Sequence, residues 1–375
     1  MFLKQSGAIF ALLFALFVSC TQGSLASTIT VVPSEAQTQI QASIDNSHSG
    51  DTIYFQTGTY NLTNLTLQPG RSYIGSTQGQ SIIHGTGGYP VMAFSGNGLT
   101  VQHLIFDGGG IHFWQAVSGV NIEYNTFRNI SYGPNGQTEW PNWPSTVALF
   151  IDTSASNSDF SYNTFQNLNS QILYTSSDES LGVSGIFGYG FSNTTINNNT
   201  FNTVNEGIKI FFNNTNGANV HINNNTFTQV HRMAIEMQNS QVTSLEVAYN
   251  NISKPLSPWM LTFGISAAIG GGSGLVVHNN FVDDQLPAVC GPSCWVGIGI
   301  EAWGNNTKVL NNTVRGYWAT GVAVGLSSNL LVEDNAICGP DMAINNMYIS
   351  NENPYSHLGE VFQSNTTSTA TNCQE

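Results

Sequence analysis

The chain has 375 residues, 8% of them charged and 41% hydrophobic, with 22 acidic residues against 8 Lys or Arg and a formal net charge of -14. So few basic side chains cannot neutralise a run of phosphates, which excludes nucleic acid and anionic lipid as partners. The apolar and aromatic content excludes a disordered chain and provides for a large core.

Met1-Phe-Leu-Lys4 is followed by the apolar run Ala8 to Val18, too short to span a bilayer and of signal-peptide length. Cleavage after Ser24-Leu25-Ala26 makes residues 1–26 an export signal and 27–375 a single mature domain, predicted to be secreted and monomeric. Phe17-Val18-Ser19-Cys20 offers the alternative of a lipoprotein anchored through Cys20, the one route to a membrane. Loss of Lys4 with the signal takes the net charge from -14 to -15. Cys290, Cys294, Cys338 and Cys373 then remain, an even set suited to disulfides in an oxidising compartment. Cys290 with Cys294 is the natural local pair, and Cys338 with Cys373 would pin the tail. Zinc fits less well, since only His278 and His357 lie near this set in sequence.

Ser34-Glu-Ala-Gln37 has the form of a helix capping box, and Ile40 and Ile44 follow at i, i+4. The expectation is a short amphipathic helix over the first coil of the fold, leading into Gly50-Asp-Thr-Ile-Tyr-Phe-Gln-Thr-Gly-Thr-Tyr60.

From about residue 100 a repeat takes over. Short alternating segments each end in Asn followed closely by Phe, Ile or Val: Val120 to Phe127, Phe160 to Phe165, Ile196 to Phe201, Val220 to Phe227, Leu245 to Ile252, Leu275 to Phe281, Val309 to Val314 and Leu331 to Ile337, with Val101 to Phe106 as an earlier member. The terminal apolar residues are spaced by 21, 38, 36, 26, 25, 29, 33 and 23 residues. The shortest intervals match one coil of a three-strand solenoid, and the longer ones hold inserted loops. Between members lies a second alternating segment, as in Gly207 to Ile210, Met233 to Met237, Gly264 to Ala267, Gly297 to Ile300 and Gly321 to Val324. Period-2 alternation puts the aliphatic residues on one face, and stacked coils place equivalents about 4.8 Å apart. Asn tolerates a left-handed corner and can bond to neighbouring coils as a ladder. A β-sandwich would not repeat Asn-Thr-Phe at coil spacing. The same repeat accounts structurally for a sequon form that five of the eleven Asn-x-Ser/Thr sequons share, Asn-Asn-Thr, without glycosylation.

A capping helix, then Gly-Asp-Thr-Ile-x-Phe and Gly-Thr-Tyr, then Asn-rich coils, resembles the pectin-lyase-like right-handed parallel β-helix superfamily over residues 28 to 350. The resemblance implies an all-β, single-stranded right-handed parallel β-helix with a short N-terminal capping helix, and a long glycan lying across one sheet. It does not name a reaction. Polygalacturonase motifs are matched by Asn157-Ser-Asp159 and Asp283-Asp284, but their Gly-His-Gly and Arg-x-Lys are missing. Tyr189-Gly-Phe191 is similar to the start of the Tyr-Gly-Phe-Asp-Pro-His motif of mannuronan epimerases, yet Ser192 and Asn193 follow. The Trp-Ile-Asp-His of pectate lyases is absent.

If the apolar residues of each second strand point inward, their neighbours form a row predicted to face solvent: His112 and Trp114, Phe150 and Asp152, Lys209 and Phe211, Arg232 and Glu236, Ser266 and Ala268, Glu301 and Trp303, then Ala323. Glu236 and Glu301 stand two coils apart, about 9.6 Å between Cβ atoms. Inverting glycosidases hold their two carboxyls roughly 6.5 to 9.5 Å apart. Glu236 and Glu301 are therefore the candidate acid and base of a glycoside hydrolase acting on a neutral or weakly acidic polysaccharide, without a cofactor. His112, Trp114, Asp152, Phe211 and Trp303 are the candidate substrate-binding residues, aromatic rings suiting sugar faces. The bland alternative is an ion pair between Glu236 and Lys209.

Two other readings stay open. A polysaccharide lyase would take the proton alpha to a uronate carboxylate using Lys209, Arg232 or His231, with Ca2+ as charge stabiliser; Asp283-Asp284 and Asp178-Glu179 are then candidate ligands. A non-catalytic surface protein that binds glycans or adheres would use the same groove. Trp140, Trp143, Trp259, Trp295 and Trp318 lie in or beside the longer insertions, where a solenoid commonly binds its partner.

Overall fold

The computed structural model describes residues 25–85, 92–94, 97–130, 147–168, 183–211, 217–238, 242–254, 261–284, 296–316, 319–325, 328–339, 342–346 and 361–368. Among them are 35 strands and one helix. All strands belong to one continuous sheet in which each pairs in parallel with its counterparts in the coils before and after. The fold is a right-handed parallel β-helix.

The repeat read from the sequence is the register of the coils except at one member, where Val282 and not Phe281 takes the column, Phe281 pairing with Asn251 and Thr313. Phe106, Phe127, Phe165, Phe201, Phe227, Ile252, Val282, Val314 and Ile337 are successive cross-strand partners. The last shared step shows why apolar residues recur there: the rings from Phe106 to Phe227 stack with centroids 4.6 to 5.1 Å apart, close to the strand spacing itself. A second interior column runs Val101, Ile122, Phe160, Ile196, Ile222, Val247, Val277, Val309, Val332. A third runs Ile111, Leu149, Ile186, Ile208, Ile235, Ile265, Ile300, Val322. These columns meet in one apolar core.

The asparagine ladder is present, with its two expected roles divided between adjacent residues. The left-handed corner is taken by Tyr124, Tyr162, Asn198, Asn224, Tyr249, Asn279, Asn311, Asp334 and Ser364, all at φ between 53° and 57°. The ladder is built by the residue after each: Asn125, Asn163, Asn199, Asn225, Asn250, Asn280, Asn312, Asn335 and Asn365. Asn225 illustrates the pattern. Its Nδ2 donates to Asn250 Oδ1 at 3.0 Å and to the Ile196 carbonyl at 3.0 Å, while its Oδ1 accepts from Asn199 N and Nδ2, both at 3.0 Å. Each amide is thus closed by its neighbours, as burial demands.

The helix spans Gln37–Asp45 and buries Ile40 and Ile44 against the core. Its cap lies two residues later than expected. Ala36 is the N-cap, and its N–H donates to Gln39 Oε1 at 2.9 Å, so Gln39 rather than Gln37 closes the box. Glu35 instead accepts from the Val32 N–H at 3.2 Å.

Cys338 is buried at the end of the strand Ala336–Cys338. Residues 1–24 with Cys20, the three other candidate cysteines Cys290, Cys294 and Cys373, the loop tryptophans and Asp178-Glu179 lie outside the described residues.

Candidate functional site on the outer face of one sheet

The third interior column belongs to the strands Ile111–Phe113, Val147–Ile151, Ser184–Tyr189, Thr200–Phe211, Thr226–Gln238, Leu261–His278, Val296–Asn305 and Thr320–Gly325. One residue beyond each of its aliphatic members the side chain turns away from the core. Cross-strand pairing makes these a single row: His112, Phe150, Phe187, Lys209, Glu236, Ser266, Glu301, Ala323. Two residues further along is an outer row that includes Tyr189, Phe211, Gln238 and Trp303.

The order predicted from alternation is therefore present, but the expected solvent exposure is not. His112 and Glu236 are 0% exposed, Lys209 4% and Glu301 7%. The outer row is shallower, with Phe211, Gln238, Tyr189 and Trp303 half-buried, and Trp114 is 53% exposed. A ligand on this face meets the outer row first.

The corner before these strands is turned by small residues. A Cβ on Gly207 would stand 2.5 Å from the Ala234 carbonyl oxygen, and one on Gly264 or Gly299 would meet the next coil's carbonyl equally closely. Just ahead of that corner sits Glu206, an acid that alternation counted from Gly207 passes over. Its signal was available: a carboxylate beside a corner glycine, three residues before Lys209, in a chain with few charges.

Glu206 is the hub of a buried cluster. Its Oε2 accepts from Ser184 Oγ at 2.8 Å, and its Oε1 is bonded by Arg232 and lies 3.5 Å from Lys209 Nζ. Lys209 Nζ is also 3.1 Å from Glu236 Oε2. Arg232 does not stand in the row beside Glu236 as expected. One extra residue between Val230 and Met233 shifts the register, Val204 pairing with Val230 but Glu206 with Met233, and this bulge aims Arg232 at Glu206.

The two carboxyls of the cluster are driven apart. Burial opposes charge on Glu206, but Lys209, Arg232 and the donated hydrogen bonds outweigh it and hold the group below its ordinary range. Glu236 is pushed up, chiefly by burial; Lys209 partly offsets this and the Glu206 charge reinforces it. The two carboxyls are thus shifted in opposite directions, the division on which acid and base roles rest. Glu236 Oε1 accepts from Gln238 Nε2 at 2.5 Å, which places the acid one hydrogen bond beneath the outer row. Two strands on, Glu301 Oε2 accepts from Ser266 Oγ at 2.5 Å.

The remaining candidates fall on two sides of this centre. His112, Trp114, Phe150 and Asp152 lie at the N-terminal end of the face, joined to Lys209 by Phe150, Phe187, Tyr189 and Phe211. Lys209 Nζ rests 5.1 Å above the Phe211 ring. Asp283, a candidate calcium ligand, is engaged by Arg315 at 3.3 Å. Among the described residues no group of three or more His, Cys, Asp or Glu converges on a metal position.

The architecture is a right-handed parallel β-helix, a fold shared with solved structures of very low sequence identity. In sequence, no family model and no curated protein matches the chain. In structure, it is similar to the surface protein and adhesin PfbA of Streptococcus pneumoniae, with TM-score 0.56 and 12% identity over 92% of this chain and 98% of that one. A hyperthermoactive exopolygalacturonase from Thermotoga maritima aligns with TM-score 0.49 and 8% identity over 84% and 88%. The Yersinia enterocolitica family 28 exopolygalacturonase gives 0.46 and 10% over 93% and 76%. At such identities the likeness is one of fold.

Proposed function

We propose that the chain is an exported polysaccharide hydrolase, with Glu236 as general acid and Glu301 as general base on opposite sides of a glycan lying along the sheet. The observation that carries this reading is the arrangement of those two acids. Glu236 and Glu301 are both partners of Ser266, from either side, so their Cβ atoms stand about two strand spacings, roughly 9.6 Å, apart. Glu301 leans toward the intervening Ser266, whereas Glu236 is tied back to Lys209. A Cβ separation of about that size lets the two carboxyl groups fall within the roughly 6.5 to 9.5 Å that admits a water between acid and base, the condition for inversion. Burial raises the Glu236 pKa, the direction that suits a group donating a proton to a leaving glycosidic oxygen.

A lyase is the second reading, favoured by one observation. Lys209 and Arg232 converge on Glu206, gathering two of the few cations of an acidic protein on this face. The similar PfbA is a surface protein and adhesin, which supplies a third, non-catalytic reading.

Incubation with a panel of neutral and uronate polysaccharides, following reducing ends and the absorbance of unsaturated uronate, separates the three. Reducing ends without absorbance, lost by roughly 100-fold or more in Glu236→Gln and in Glu301→Gln, is the expected result. Absorbance at the double bond replaces hydrolysis by elimination, binding without product supports adhesion, and full turnover in both variants removes the assigned pair.

A further inference from the structure

At the N-terminal end of the same face is a second constellation, outside the Glu206 to Glu301 centre. His112 and Asp152 belong to adjacent coils: His112 pairs with Phe150, and Asp152 follows directly after the strand Val147–Ile151, its N–H donating to the Phe113 carbonyl. The His112 ring lies between Trp114, 3.8 Å away by centroids, and Phe150, 4.6 Å away. It is 0% exposed, and neither ring nitrogen has a hydrogen-bond partner among the described residues. An imidazole hidden this way forfeits hydration at both nitrogens, a cost that ordinary packing offsets with a partner.

His112 Nε2 is 3.8 Å from Asp152 Oδ2. That is too far for a direct hydrogen bond, and a hydroxyl oxygen admitted between them could bridge the two at about 2.8 Å from each, accepting from one and donating to the other. Burial lowers the His112 pKa to about 4, so the ring is neutral and offers one donor and one acceptor. Asp152 is partly exposed and Trp114 largely so, which sets the covered His112 ring directly behind a solvent-facing carboxylate and an open aromatic face.

We propose that His112, Asp152 and Trp114 form a subsite for a neutral, hydroxyl-bearing sugar unit, with a sugar hydroxyl bridging His112 and Asp152 and the pyranose ring against Trp114. A uronate suits it poorly. Its carboxylate would face Asp152, and the nearest cation of the row, Lys209, is three strand steps away, about 14 Å. Glu236 is four steps away, about 19 Å, so the subsite engages a unit several residues from the site of cleavage and requires an extended chain. The proposal rests on the glycan reading of this face but not on hydrolysis.

Fluorine NMR on full-length protein labelled with fluorotryptophan tests it, the Trp114 signal being assigned with Trp114→Phe. The probes are hexasaccharides of β-1,4-glucose, β-1,4-xylose, β-1,4-mannose and α-1,4-glucose, with hexagalacturonate as the charged comparison. The expected result is a saturable shift of the Trp114 signal with at least one neutral probe. His112→Phe, which keeps the ring stack, and Asp152→Asn should each weaken that binding tenfold or more while the melting temperature stays within a few degrees. Saturable binding without turnover upholds the subsite and removes the hydrolase; turnover with a silent Trp114 signal does the reverse. No saturable shift, undiminished binding in both variants, or equal affinity for hexagalacturonate overturns the subsite.

Discussion

Two buried polar systems run through this molecule and could hardly differ more in design. The asparagine ladder is neutral, repeats at every coil from Asn125 to Asn365, and closes each amide with an identical neighbour. The Glu206, Lys209, Arg232 and Glu236 cluster occurs once, is charged, and depends on a bulge to bring its arginine into place. Repetition marks the polar groups that build the solenoid. Departure from repetition marks those whose presence the fold does not require, because a buried ion pair or triad is often replaceable by apolar residues without loss of stability.

That contrast can be broken at its strongest point by Glu206→Ala, which strands Arg232 and Lys209 without their shared acid. The expected loss is about 3 to 5 kcal/mol in urea unfolding. Replacing Glu206, Lys209, Arg232 and Glu236 together by Met or Leu should be neutral or stabilising by about 1 to 4 kcal/mol while abolishing turnover. A collapse of the quadruple variant would make the cluster structural and end the distinction.

A smaller effect sharpens the other side. Asn225→Leu leaves Asn199 without its acceptor and the Ile196 carbonyl without its donor, and should cost about 2 to 4 kcal/mol in the same assay. Asn365→Ala, at the less buried end of the ladder, should cost nearer 1 kcal/mol. Equal losses at the two positions would mean that the ladder is not cooperative with burial.

The smallest effect is in pH dependence. Glu206 has a lowered folded pKa, so its contribution is present above the unfolded value and disappears as pH falls through the folded one. Glu236 has a raised folded pKa, so its contribution is complete below the unfolded value and disappears as pH rises through the folded one. Melting temperature against pH should decline on both sides, and Glu236→Gln should flatten only the alkaline side. An unchanged alkaline limb in that variant would show that the proton is not held there.

The solenoid was legible because its determinants are periodic. Phe127, Phe165, Phe201 and Phe227 recur at coil spacing, and each is the cross-strand partner of the next. The two functions of the corner were not separable in advance, since Asn198-Asn199 and Asn224-Asn225 place the same residue type at both positions; Tyr124, Tyr162, Tyr249, Asp334 and Ser364 show that the left-handed site tolerates other side chains. The row from His112 to Ala323 was legible as an order but not as a buried surface, because alternation gives direction and not cover. Glu206 escaped notice because it precedes the corner from which the strand was counted, and Arg232 was misplaced because a single-residue bulge leaves no mark in a pattern of period two.

The ladder has one more consequence. Since each asparagine presents to the next coil the same donor and acceptor that it receives from the previous one, a whole coil can be duplicated or deleted without an unmatched amide at the seam. Ancestral lengthening of the molecule between His112 and Glu236 would then move a distant recognition point away from the scissile bond by one strand spacing at a time, about 4.8 Å, leaving the chemistry itself untouched. The fold thus carries an adjustable ruler for chain length, graduated in coils.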